Sequence, residues 1–176
     1  KLFLNEYGPM LDDSILSVHF LYKDSSYYCL DYSEKEFEHI AQIFGSVHNV
    51  YDEYFRTVQQ SIIENLGPYK PKRLGHITLV EKFKKLFPVN VELSHWTNSL
   101  LDLIAKEQYI LDYNGAGMVK PYCGETYPSL NVAEEAAKRN IPLIYGSDAH
   151  SAKGLKQGYD SINTNLLIPY TDRATD

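Results

Sequence analysis

The strongest constraint on the fold is an alternation along the chain: short apolar runs are separated by segments whose apolar residues recur every three to four positions. Residues 14–22 are β-branched and aromatic and read as a buried strand, preceded by the polar turn Asp12-Asp13. Residues 31–44 read as a helix. Ser33 and Glu36 form a capping box there, and Phe37, Ile40, Ile43 and Phe44 share one face. Gly45 ends that helix, and Ser46 caps a second one running to about Leu66, before Gly67-Pro68. Residues 73–79 read as a second strand, 96–106 as a helix and 109–114 as a third strand. Ser129 caps a helix reaching Arg139, and residues 142–146 read as a fourth strand, with a short fifth expected over 158–162. Strands joined by helices pair in parallel, so the pattern predicts an α/β fold with a parallel sheet, open or closed into a barrel.

The chain has 176 residues, 44% hydrophobic and 23% charged, enough for one domain with a sizeable core. A net charge of -6 opposes binding to the phosphates of a nucleic acid. It does not oppose a small phosphorylated substrate, because bound cations reverse the local field. Cys29 and Cys123 form neither a Cys-x-x-Cys zinc pattern nor a disulfide framework, so a reducing, cytoplasmic compartment is expected. No apolar run reaches membrane-spanning length and no signal peptide is visible, so no membrane partner is expected. The chain opens on Lys1 rather than Met and is read as a piece of something longer.

The histidines carry the chemistry. His19 lies inside the first strand, His76 inside the second, and Asp148 and His150 follow the fourth. Strand ends converge in parallel α/β folds, so these residues are expected to meet in space. In extended backbone Asp148 and His150 point to one side, a carboxylate and an imidazole suited to a divalent cation. Gly146 keeps the strand end clear of a side chain. Read alone, Asp-x-His is equally a solvated loop, and His19 or His76 equally a core histidine bonded to backbone. His39, His48 and His95 fall in helices and read as packing or surface residues. Asp112 and Asn114 share one face of the third strand and can line the pocket. Lys120 and Arg56 are candidate phosphate partners or solvated cations, and Glu125 orients a substrate or braces its loop.

Together the runs Leu16-Ser17-Val18-His19-Phe20, Leu74-Gly75-His76, Asn114-Gly115-Ala116-Gly117, Pro121-Tyr122-Cys123-Gly124-Glu125-Thr126-Tyr127-Pro128 and Gly146-Ser147-Asp148-Ala149-His150 resemble the polymerase and histidinol phosphatase (PHP) superfamily, in its monofunctional histidinol-phosphatase branch. The helix carrying Tyr51, Tyr54, Phe55 and Arg56 is also similar. The resemblance implies the C-terminal portion of a distorted (β/α)7 TIM-like barrel with parallel strands. It implies up to three divalent metal ions (Zn, Fe or Mn) and hydrolysis of L-histidinol phosphate in histidine biosynthesis. By the same analogy His19 and His76 bind one metal, Asp148 a second and His150 a third, and Lys120 binds phosphate. Catalysis then rests on metal-activated water and on no further side chain.

The family's His-x-His motif occurs nowhere in this sequence, and nothing before His19 replaces it. By the resemblance, three strands and about half of the ligands of the family fold are therefore expected to be missing. Glu6 reads as part of a helix ahead of the first strand rather than as a metal-bridging glutamate. A piece of this kind is expected to pair with the missing N-terminal part or with a second copy through its open edge. Weak or no activity is expected of it alone. A PHP phosphoesterase acting on a nucleotide or other monoester, and a non-catalytic remnant, are the alternatives.

Overall fold

The computed structural model describes residues 1–168. In chain order these form helix α1 (Leu2–Tyr7), strand β1 (Ile15–Leu16), strands β2 (Phe20–Lys23) and β3 (Ser26–Cys29), and helices α2 (Glu34–Phe44) and α3 (Val47–Ile63). There follow β4 (Arg73–Leu74), α4 (Ser94–Lys106), β5 (Ile110–Asn114), α5 (Leu130–Lys138) and β6 (Leu143–Gly146), with short 3-10 turns between. Four strands make a parallel sheet in the order β1-β4-β5-β6, as the alternation of strands and helices predicts.

The helix starts follow from local chemistry. The Ser33 hydroxyl accepts the Glu36 N–H at 3.1 Å, and the Ser46 hydroxyl accepts that of Asn49 at 3.1 Å. Gly45, at φ 89, takes the left-handed conformation that ends α2 and lets α3 begin at once. Ser129 precedes α5 but its side chain makes no cap bond.

The two faces of the sheet differ in character. Leu74, Leu111 and Leu143 align across the strands and are buried in one apolar cluster with Tyr54, Leu100 and Ala133 from the helices. The other set of alternating positions carries Ile15, Arg73, Asp112, Asn114 and Gly146, which line a cleft. Beyond β6, Leu167 makes a parallel bridge to Leu143. Beyond β1, no strand pairs among the described residues. Leu2, Phe3, Met10, Leu11 and Ile15 are exposed in the same N-terminal segment.

Three expectations need correction. The run 14–22 is not one strand. It pairs with the main sheet only at Ile15–Leu16, then restarts as an antiparallel hairpin with β3. Asp24 (φ 48) and Ser25 (φ 64) are both left-handed, the requirement of a tight two-residue hairpin turn. The run 73–79 leaves the sheet after Leu74, because His76 turns left-handed (φ 30) and a 3-10 turn follows at Leu79–Phe83. The strand expected over 158–162 is a 3-10 turn at Tyr159–Ser161. Gly158 (φ 71) is pressed against the backbone of Gly115 there, which turns the chain across the strand ends rather than along an edge.

No helix among the described residues is long and apolar enough to cross a membrane. Cys29 and Cys123 are both free thiols.

Candidate functional site

An open cleft of about 440 Å³ lies at the C-terminal ends of the four parallel strands. Each strand delivers a polar group to it: His19 from beyond β1, Arg73 from β4 and His76 from beyond it, Asp112 and Asn114 from β5, and Asp148 from beyond β6. This is the convergence expected of parallel strand ends.

His19 and His76 meet edge to face, with ring centroids 4.8 Å apart. Glycine makes that approach possible. A Cβ at Gly75 would stand 2.8 Å from the Ile15 side chain and would collide with the Ser17 hydroxyl, so only glycine lets the ends of β1 and β4 close together. The Gly75 N–H donates to the Leu16 carbonyl at 2.9 Å across this junction. His76 is buried, and Tyr54 and the Leu79 N–H both donate to its carbonyl, at 3.2 and 2.8 Å. These bonds hold its left-handed backbone. Asp148 (φ 50) is left-handed as well, so two polar residues of the cleft sit in conformations that side chains rarely adopt. Strain of this kind persists where the surroundings enforce it and gathers at functional sites.

The two imidazoles differ electrostatically. The hydrogen bond that Asp31 accepts from His19 Nδ1, at 3.1 Å, raises the His19 pKa against the opposing effect of burial. Burial lowers the pKa of His76, and the neighbouring His19 lowers it further. The Asp148 carboxylate raises the pKa of both rings, adding to Asp31 at His19 and opposing burial at His76. Asp31 itself is held at about 2: burial alone would raise it, but the bonds and charges of His19 and Lys82 outweigh that.

His76 Nδ1 is buried without a hydrogen-bond partner among the described residues. A neutral imidazole with an orphaned buried nitrogen, beside a second imidazole and a carboxylate, fits part of a divalent-cation site. The set is not complete in itself. Among the described residues no group of three or more His, Cys, Asp or Glu side chains could hold one metal ion.

The cleft contains a cation that the sequence pattern did not single out. Arg73 reaches across from β4, with its guanidinium bonded to the Asp112 carboxylate and to the Tyr145 carbonyl at 3.1 Å, and 3.6 Å from Asp13. Its Nε is buried and has no partner among the described residues. Asp112 is fixed from its other oxygen by the Asn114 amide at 2.7 Å, and the Asn114 carbonyl accepts the Ala116 N–H at 2.8 Å. An arginine opening an apolar strand run was the available signal.

Of the residues expected at the site, His19, His76, Asn114 and Asp148 line this cleft and His150, Lys120, Glu125 and Arg56 do not. The extended backbone expected for Asp148 and His150 is not found. The left-handed Asp148 turns the chain, and His150 is exposed with Nδ1 2.9 Å from the Asp148 carbonyl. Gln157 braces the same turn by donating to the carbonyls of Ser147 and Asp148, and Tyr145 donates to Gln157 at 2.9 Å. Glu125 pairs with Lys84 at 2.7 Å, and Arg56 forms a fork on Glu53 along α3. The Lys120 carbonyl accepts N–H bonds from Cys123 and Gly124, which fold its loop. His48 lies against His95 and Trp96 and beside Asp52, in the helical layer.

No protein-family model matches the chain. It is 47% identical over 162 residues to the histidinol-phosphatase of Bacillus subtilis (strain 168), covering 91% of this chain and 60% of that protein. It is 32% identical over 142 residues to a Deinococcus radiodurans protein named "Probable histidinol-phosphatase", covering 79% of this chain and 47% of that one. Its fold matches the crystal structure of the "putative histidinol phosphatase hisK" from Listeria monocytogenes. The TM-score is 0.85 at 39% identity, over 90% of this chain and 61% of that chain. The chain therefore spans about half to three fifths of the length of the relatives it matches.

Proposed function

We propose, starting from the premise that this chain is a histidinol-phosphatase-like PHP protein over the span it shares with its relatives, that it carries part of the metal and phosphate site of a histidinol-phosphate phosphatase of the cytoplasm. The observation that carries the reading is the pairing of His19 with a buried His76 whose Nδ1 has no partner among the described residues, at the end of a parallel sheet. In this reading the sheet is the later part of a closed (β/α)7 barrel. The open edge of β1 is the surface on which further strands, or a second copy, would pair.

His19, His76 and Asp148 are the residues of the cleft that would hold divalent cations (Zn, Fe or Mn), with His150 reaching a further ion only if its turn reorients. Such cations supply a Lewis acid and a bound water that loses its proton near neutral pH. The protein's own part is orientation and charge. Arg73 is the cationic side chain lining the cleft, and its fork on Asp112 and the Tyr145 carbonyl fixes its direction. A phosphate monoester entering the cleft would meet this guanidinium, a donor array suited to phosphoryl oxygens. The Asn114 amide is committed to Asp112, so Asn114 acts on the phosphate through that carboxylate and Arg73. The loop ion pair of Glu125 with Lys84 lies outside the cleft.

The test is calorimetric titration of the chain with Mn²⁺ and Zn²⁺, alongside phosphate release from L-histidinol phosphate. The expected results are cation binding that falls at least tenfold in His76→Gln, and little or no turnover by this chain alone. Cation binding indifferent to His19, His76 and Asp148 would overturn the site. Rapid turnover by the isolated chain would overturn its being partial.

A further inference from the structure

We propose that Asp31 is a positioning residue that locks His19 in one tautomer and one orientation, with Nδ1–H turned to the carboxylate and Nε2 left as a lone-pair donor for the cleft. The inference rests on the cation site proposed above and adds to it a residue that lies outside the cleft lining.

Asp31 comes two residues after the end of β3, so the hairpin that interrupts the first strand also delivers this carboxylate. The hairpin is registered on His19 itself, because the Leu30 N–H donates to the His19 carbonyl at 2.9 Å. Backbone and side chain of His19 are thus gripped by adjacent residues, Leu30 and Asp31. Asp31 Oδ1 lies 3.1 Å from His19 Nδ1 and also accepts the Cys29 thiol at 3.5 Å. Its Oδ2 lies 3.7 Å from the Lys82 ammonium, which also donates to the Asp31 carbonyl. The carboxylate is therefore held from three sides and has little freedom to rotate away.

A carboxylate only accepts, so the nitrogen facing it must carry the proton while the ring is neutral. That leaves Nε2 unprotonated. Among the described residues no bond is made by Nε2, and the ring lines the cleft. A carboxylate behind an imidazole is a general device for fixing the tautomer and raising ligand basicity. Lys82 lies in the 3-10 turn that follows His76, so the same ion pair ties the segment bearing His19 to the segment bearing His76.

The experiment reads the tautomer directly in the metal-free chain. Histidine ring ¹⁵N–¹H correlation spectra are recorded at a pH where the rings are neutral, with His19 assigned from His19→Gln. Wild type should show His19 protonated on Nδ1. Asp31→Ala should shift His19 towards the other tautomer while the backbone amide signals of α4, β5 and α5 stay in place, which also reports that the fold survives. Zn²⁺ affinity should then fall by about 10- to 100-fold, the usual cost of losing such a partner. Asp31→Glu should restore part of both effects. Should Asp31→Ala fail to fold, Asp31→Asn, which keeps the shape of the side chain, gives the same reading with a smaller shift. A His19 that keeps its Nδ1 proton in the folded variants, or a changed tautomer with unchanged Zn²⁺ affinity, overturns the proposal. A wild-type chain that binds no Zn²⁺ overturns the cation site instead, and the tautomer measurement then decides the role of Asp31 by itself.

Discussion

Alanine at Gly146 should disable the cleft from beneath, and the size of the effect can be worked from the structure. An ideal Cβ at this position stands 2.6 Å from the carboxyl carbon of Asp112. Unbonded carbons rest about 3.5–4.0 Å apart, so the carboxylate must retreat by roughly 1 Å. It cannot do so freely: Asp112 is 2% exposed, pinned by Arg73 through one oxygen and by Asn114 at 2.7 Å through the other. Overfilling a packed site costs about 1–3 kcal/mol. Breaking a buried ion pair outright costs about 3–5 kcal/mol. Partial displacement lies between, at about 2–4 kcal/mol. For a chain of this length each kcal/mol lowers Tm by about 2–4 °C, so a drop of roughly 5–15 °C is expected. Urea unfolding followed by circular dichroism should show the loss with an unchanged slope. The control is the same substitution in an Asp112→Ala background, where the obstructing atoms are gone and the added cost should fall below about 0.5 kcal/mol. A wild-type cost under about 0.5 kcal/mol, or an equal cost in both backgrounds, would refute the steric argument.

Three further outcomes are expected. Tyr54→Phe removes the hydroxyl that donates to the His76 carbonyl at 3.2 Å; chemical denaturation should show a loss of about 0.5–1.5 kcal/mol, and weaker Zn²⁺ binding as His76 loosens. Ser33→Ala and Ser46→Ala each delete a helix cap and should each cost about 1 kcal/mol, with additive effects in the double variant because the two hydroxyls serve different helices. Glu81 is buried, and that burial raises its pKa above 4.5 despite Lys84, so its charge penalises the fold only as pH rises through 4.5 to the raised value. Glu81→Gln should therefore raise the urea midpoint at pH 7 and leave it unchanged at pH 4, while Lys84 keeps Glu125 as its partner; a gain at pH 4 as large as at pH 7 would contradict this.

Much of the scaffold was legible because its determinants are local. Caps at Ser33 and Ser46, the left-handed stop at Gly45 and the periodic apolar faces of α2 and α3 are decided within a few residues. The strands at 110–114 and 143–146 were legible for a related reason: each is a short apolar run bounded by turn residues. The site was legible only in part. His19, His76, Asn114 and Asp148 sit at strand ends, and the parallel topology brings strand ends together whatever lies between them. Arg56 and Glu125 lie outside the cleft and are engaged by Glu53 and Lys84.

The sequence by itself determined the order of the helices and of the strands in the main sheet, and the parallel pairing of those strands, because helix caps, glycine turns and apolar periodicity act over a few residues. It also determined which imidazoles and carboxylates stand at strand ends. Only the tertiary structure decided that the first apolar run breaks at His19 into a hairpin, and that this hairpin places Asp31 behind the imidazole. It alone decided that Arg73 faces the cleft and that His150 turns away on a left-handed Asp148. Those outcomes depend on contacts between residues tens of positions apart, such as Arg73 with Asp112 and Gly158 with Gly115, and no local pattern encodes them.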